Sequence, residues 1–194
     1  MPDNIKKEIF KKVEEYFNAK KQTAHQKIGV AYPCFDHLEV HQALDSLLDV
    51  WISQGPKVKA FETAYAEYIG TTHGIGCNSG SSANLLALTA LIQAGYLEPG
   101  DEVIVPAATF TTVISPILQT GLVPVFVDVE MDTYNIDPEA IAKAITNKTK
   151  LIMVVHSLGC PAKMTEIMTI AEEQKIPVLE DCCEAHGASI NDKK

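Results

Sequence analysis

The chain has 194 residues, enough for one domain or one and part of another, and its 46% apolar and 21% charged content suits a folded globular protein rather than a disordered one. A formal charge of −9 gives no electrostatic footing for nucleic acid or an anionic membrane surface, so neither is expected as a partner and a small-molecule site is. All sixteen basic residues are lysine; with no guanidinium fork to clamp a phosphate, backbone amides must carry more of any anion binding.

In chain order, Ile5, Ile9, Val13, Tyr16 and Phe17 recur at helical spacing among lysines and glutamates, which predicts an amphipathic arm over residues 3–20 suited to packing on a partner chain. The polar stretch 20–28 reads as a linker, so the expected division is an arm and linker at 1–31 and a main domain at 32–194. The charged N-terminus lacks the apolar core of an export leader, and no run reaches the roughly 18 apolar residues of a membrane span. Five cysteines with no CxxC spacing fit a reducing, cytoplasmic setting. Asp36, with Glu39 three residues on, has the capping-box pattern ahead of Leu38, Leu44, Leu47, Leu48 and Trp51, and Gln54-Gly55-Pro56 ends that helix. A third helix carries Val58, Phe61, Tyr65 and Ile69 on one face, with Gly70 placed to close it.

Beyond it, strands are predicted at 74–77, 102–105, 123–127, 150–155 and 176–179, separated by helices at 81–94, 111–120, 138–146 and 165–174. This alternation, with continuous apolar runs such as Leu151-Ile152-Met153-Val154-Val155, predicts an α/β fold: three αβα layers around a mainly parallel sheet. There is no internal repeat and no low-complexity tract.

Ligands of open α/β sheets bind beyond the carboxyl ends of the strands, and the residues there are polar: Asn78-Ser79-Gly80-Ser81-Ser82, Thr109-Phe110-Thr111-Thr112, Asp128, His156-Ser157 and Glu180-Asp181. Gly80-Ser81-Ser82 opens a helix whose free N–H groups and dipole favour an anion, although the same serines suit plain capping. Asp181 is either a cap or a buried carboxylate facing a cationic ring nitrogen, whose charge would offset the upward pKa shift of burial. Phe110 is either core or a face on which a flat ring stacks. His156 is a candidate substrate contact, against the ordinary alternative of a ring satisfied by nearby backbone. Gly74-Ile75-Gly76 with Gly80 has the wrong spacing for a dinucleotide fingerprint, and the next strand ends in Val105-Pro106 instead of an acid. His37 and His41 lack a third metal ligand and read as a solvated helix face, while Cys182 and Cys183 read as small buried side chains.

Taken together, Gly80-Ser81-Ser82-Ala83-Asn84-Leu85-Leu86-Ala87-Leu88, Pro99-Gly100-Asp101-Glu102-Val103-Ile104-Val105-Pro106 and Glu180-Asp181 resemble the DegT/DnrJ-type nucleotide-sugar aminotransferases. Gln54-Gly55-Pro56, Phe126-Val127-Asp128-Val129 and Tyr134-Asn135-Ile136-Asp137 extend the resemblance over about Tyr32 to Gly187. It implies the N-terminal part of a fold-type-I enzyme dependent on pyridoxal 5'-phosphate (PLP), typically a homodimer, acting on a nucleotide-linked keto-sugar with an amino donor such as glutamate. Within it, Ser81 and Ser82 would hold the cofactor phosphate, Phe110 would stack on the pyridine, and Asp181 would keep the ring nitrogen protonated. The Schiff-base lysine would lie beyond residue 194, so no catalytic residue is assigned. Glu184 stands where these aminotransferases usually have glutamine or histidine; an acid there resembles the keto-sugar 3-dehydrase branch of deoxysugar and lipopolysaccharide O-antigen pathways, which uses pyridoxamine 5'-phosphate and a histidine in place of the lysine. The position that separates the two chemistries is absent from this sequence, so amino transfer stays the first expectation and 3-dehydration the second, with Glu184 a further cofactor-binding residue under either. The alternative of another class is a non-catalytic fragment or assembly module.

Overall fold

The computed structural model describes residues 2–20 and 34–194, in two compact units, Met1–Ala60 and Phe61–Lys194. The expected linker from Lys21 onward, the boundary at 31/32 and the start of the resemblance at Tyr32 lie outside the described residues.

In the first unit, helix α1 spans Pro2–Ala19 and α2 spans His37–Leu48. The capping box forms as expected: the Asp36 carboxylate accepts the Leu38 N–H at 2.7 Å and the Glu39 carboxylate accepts the Asp36 N–H at 2.8 Å. The ammonium of Lys6 joins the two helices through Asp45 at 2.6 Å and Asp49 at 2.9 Å. His41 is not on a solvated face: its ring stacks on Phe10 with centroids 4.6 Å apart, and its Nε2 meets the Phe10 carbonyl at 2.9 Å. Helix α3 follows at Pro56–Ile69 and closes at Gly70, whose φ of +83° suits glycine. No helix among the described residues is long and apolar enough to cross a membrane.

The second unit is the α/β body. After α4 (Gly80–Gln93) the chain alternates β1 (Glu102–Pro106), α5 (Thr111–Gln119), β2 (Val123–Val127), α6 (Pro138–Ala144), β3 (Thr149–Val155), a 3-10 turn (Ser157–Gly159), α7 (Met164–Gln174) and β4 (Val178–Asp181). Among the described residues the sheet has four strands, all parallel, in the order β2-β1-β3-β4. The strand expected at 74–77 does not form. Its two glycines weaken strand propensity, and the Gly76 N–H is taken by the Glu62 carboxylate at 2.7 Å rather than by a ladder partner. Pro124 is tolerated because β2 is an edge strand, and β4 starts after Pro177, two residues later than expected.

Strand alternation divides the core in two. Val103 and Val105 of β1 and Leu151 and Met153 of β3 face α4 and α5, packing with Leu88, Val113 and Ile117. Ile104, Ile152 and Val154 point the other way, against Ile141 of α6 and Ile167 and Ala171 of α7. These strands read as continuous apolar runs because both faces are covered. Ile152 sits at the centre, fully buried on a strand with a neighbour on each side. We expect Ile152→Ala to lower the free energy of unfolding by about 2–5 kcal/mol, read as a reduced midpoint in urea with little change in slope.

Candidate active site

The chain leaves β1 for β2 on one side of the sheet and reaches β3 on the other, so the strand order reverses beside β1 and leaves a crevice at the strands' carboxyl ends. A cleft of about 520 Å³ occupies that place. Its walls include Gly80 and Ser81 at the start of α4, Thr109 and Phe110 after β1, Ser157 and Leu158 after β3, and Asp181, Cys183 and Glu184 at the end of β4.

At the α4 entrance, the Ser79 hydroxyl caps the helix by accepting the Ser82 N–H at 3.2 Å. Capping and anion binding are thus divided between residues: Ser79 takes the cap, while the Gly80 and Ser81 amides, first-turn donors without intrahelical acceptors, stand at the cleft. Ser82 is not on the wall; its N–H is committed to Ser79, and its hydroxyl oxygen accepts from the Ser79 hydroxyl at 3.2 Å. Gly80 is constrained by contact rather than by φ: a Cβ there would lie 2.7 Å from the Cys183 Sγ, so that thiol would have to shift. The two ends of the cleft meet at that point.

Asp181 is the last residue of β4, paired with Val155, so the strand pleat rather than a following turn fixes its direction. Its side chain is 7% exposed. Oδ2 accepts from the Asn84 amide at 2.9 Å and Oδ1 from the Cys183 N–H at 3.0 Å. Burial pushes the carboxyl up, but these hydrogen bonds outweigh it and hold the group below its ordinary range, so Asp181 is an anion at neutral pH. Each oxygen keeps a further lone pair for a ligand.

Asn84 was not foreseen as a site residue. Its signal is an amide buried on the leucine-rich α4, one turn beyond Ser81. Its Nδ2 also meets the Thr112 carbonyl at 3.3 Å. That carbonyl is free because residue 116, whose N–H would normally bond it, is proline inside α5. A defect in one helix therefore supplies the acceptor that orients the amide of another.

Phe110, left open between core and stacking face, is 70% exposed at the N-terminus of α5 with its ring at the cleft. Glu184 is also on the wall, and its carboxylate accepts the Leu158 N–H at 2.6 Å. It thereby braces the turn in which Leu158 (φ +54°) and Gly159 (φ +85°) both adopt left-handed conformations. Asn135, almost fully buried, fixes the base of that turn from the neighbouring loop, accepting the Ser157 N–H at 2.9 Å and donating to the Cys160 carbonyl at 2.9 Å.

His156 does not stand where substrate contact was expected. The pleat that turns Asp181 toward α4 sends Glu180 and the residue after Val155 to the opposite face of the sheet, so His156 is buried behind the rim and absent from the cleft wall. Its Nε2 pairs with Glu180 at 3.0 Å and its Nδ1 accepts the Ala162 N–H at 3.0 Å. Hydrogen bonds to Cys182 and Glu180 draw the ring up to about 9, but a doubly protonated ring would set Nδ1–H against the Ala162 N–H. The geometry supports a neutral ring with its proton on Nε2. For the same reason the His156, Glu180 and Cys182 donor atoms, all within 4.8 Å of one another, are not arranged as a metal centre: a metal on Nε2 requires the ring proton on Nδ1 to donate outward, and Nδ1 here accepts the Ala162 N–H.

Cys182 and Cys183 are exposed rather than buried, because they lie in the turn beyond β4 and not in its apolar run. Hydrogen bonding to Asp181, then partial desolvation of the sulfur on its Gly80 side, pushes the Cys183 thiol up to about 11, although the residue as a whole is exposed. Asn191 and Asp192 form a turn, both at positive φ between the bridged Ile190 and Lys193. Lys194 sits over the Tyr68 ring, 3.8 Å from its centroid, and neither terminal lysine is on the cleft wall.

Residues 33–194 match the DegT/DnrJ/EryC1/StrS aminotransferase family. The chain is 45% identical over 155 residues to the lipopolysaccharide biosynthesis protein RfbH of Salmonella typhimurium, covering 78% of this chain and 36% of that one. It is 42% identical over 157 residues to the dTDP-3-amino-3,6-dideoxy-alpha-D-galactopyranose transaminase of Aneurinibacillus thermoaerophilus, covering 80% and 42%. Among solved structures, the E. coli GDP-4-keto-6-deoxy-D-mannose-3-dehydratase with bound hydrated PLP superposes with a TM-score of 0.80 at 40% identity, over 85% of this chain and 43% of that one. The chain spans well under half the length of these relatives. A family match over most of the sequence and a shared fold at this identity lead to one statement: the chain belongs to the DegT/DnrJ/EryC1/StrS aminotransferase family.

Proposed function

We propose that the full-length protein is a PLP-dependent enzyme of nucleotide-sugar biosynthesis that moves an amino group from a donor such as glutamate to a nucleotide-linked keto-sugar, with this chain supplying the cofactor-binding face. The observation that carries the reading is the convergence on one cleft of the amides opening α4, the exposed ring of Phe110 and the ionised carboxylate of Asp181. A phosphorylated cationic pyridine needs those three features together.

In this reading the Gly80 and Ser81 amides and the Ser81 hydroxyl bind the phosphate, aided by the positive end of α4. Phe110 offers its face to the pyridine and shields it from water. Asp181, held by Asn84 and Cys183, pairs with the protonated ring nitrogen and keeps the proton there. The cofactor would contribute an electron sink for proton removal beside an amino-bearing carbon. Ser82 supports the phosphate site through its cap contact, and His156 holds Glu180 and the loop at Ala162 behind the wall. The setting we propose is a cytosolic homodimer.

A second reading, 3-dehydration of the keto-sugar on pyridoxamine 5'-phosphate, is favoured by the Glu184 carboxylate on the cleft wall and by the 3-dehydratase among the relatives. Supplying the full-length protein with glutamate and nucleotide-linked 4-keto-6-deoxy sugars, and weighing the products, separates the readings. An amino-sugar nucleotide is expected; loss of the 3-oxygen would assign the dehydratase; neither product from cofactor-loaded protein would leave a non-catalytic module.

Two mutational outcomes follow from the cleft. Asp181→Asn should weaken PLP binding roughly ten- to a hundredfold, read by absorbance titration, because a charged hydrogen bond is exchanged for a neutral one. Since the folded pKa of Asp181 is depressed, its contribution to stability is fully present above its ordinary value of 3.8 and fades as pH falls through the lower folded value; Asp181→Asn should flatten that acid limb of the unfolding profile. Gly80→Ala should also lose PLP affinity, through the contact with the Cys183 Sγ, and the double variant Gly80→Ala/Cys183→Ala should regain much of it.

A further inference from the structure

We propose that the hydroxyl of Thr109 is a further direct contact to the phosphorylated cofactor, donating a hydrogen bond to one of its oxygens; the inference rests on the PLP reading above. Thr109 Oγ1 is buried and has no hydrogen-bond partner, the one such side-chain atom among the described residues. Folds rarely leave a buried hydroxyl unpaired, so the orphan points to an acceptor that arrives from outside the protein.

Its place supports that source. The Ala107 N–H still pairs with the Val127 carbonyl at 2.8 Å, after which the chain leaves the sheet and carries Ala108, Thr109 and Phe110 onto the cleft wall with Ser81 and Asp181. Several polar groups of the wall have partners within the protein: Asp181 with Asn84 and Cys183, Glu184 with the Leu158 N–H, and the Ser157 hydroxyl with the Tyr134 carbonyl at 3.1 Å. Thr109 is the buried donor left without a partner, beside the ring of Phe110. A phosphorylated pyridine offers anionic oxygens, the acceptors from which a neutral hydroxyl gains most.

The test compares the full-length wild type with Thr109→Val and Thr109→Ser by PLP absorbance titration and by thermal midpoint with and without PLP. Thr109→Val should bind PLP roughly ten- to a hundredfold more weakly, while Thr109→Ser stays near wild type. Without PLP, Thr109→Val should melt at or above the wild type, since the variant removes a polar atom that had no partner. The gain in midpoint on adding PLP should be smaller for Thr109→Val. Equal PLP affinity of wild type and Thr109→Val would overturn the inference alone, as would a ligand-free Thr109→Val that melts well below wild type, which would reveal a partner within the protein. Failure of the wild type to bind PLP would overturn this inference together with the function on which it rests.

Discussion

The hydrogen bond from the Asn84 amide to Asp181, 2.9 Å long and buried, joins the helix at one end of the cleft to the strand at the other. Without it the carboxylate would face burial with only the N–H and thiol of Cys183 as close donors to offset the lost hydration, and its proton affinity would rise. With it, negative charge is fixed at one wall while helix amides provide positive potential at another. That opposition suits a ligand with an anionic tail and a cationic ring. It is set by two elements about a hundred residues apart in sequence, so the pocket exists only once the sheet is assembled.

The chain has no arginine to clamp an anion, and the proposed phosphate seat is built from other donors. The donors at the cleft are backbone amides at a helix start, whose directions are fixed by the helix and which lose little freedom when a ligand arrives. Gly80 allows α4 to approach the turn at Cys183 closely enough for these amides and Asp181 to share one cavity. Pre-organised dipoles thus replace long cationic side chains.

Much of the fold was legible because period and punctuation agreed. Alternating apolar runs and glycine or Asp-Pro boundaries placed the four strands and α4–α7 within two or three residues of where they stand. The segment 74–77 misled because β-propensity says nothing about whether a partner strand lies alongside. The site was legible in part. Ser81, Phe110, Asp181 and Glu184 line one cleft, as the motifs suggested, but His156 was placed on the rim by counting along the chain, whereas a single step of strand pleat puts it on the far face. Asn84 and Thr109 were opaque for another reason. The value of an amide or hydroxyl lies in its partner, and a sequence does not show which carbonyl is left unbonded or which oxygen is left alone.

Pro116 illustrates how far such a dependency reaches. A stability screen would flag it as a flaw, since any residue with an N–H would mend the broken ladder of α5. The new N–H would compete with the Asn84 amide for the Thr112 carbonyl, weakening one of the two contacts that orient that amide toward Asp181. Thermostability gained at that position would come with a less firmly oriented Asn84 beside Asp181, so the proline supports the cleft without lining it.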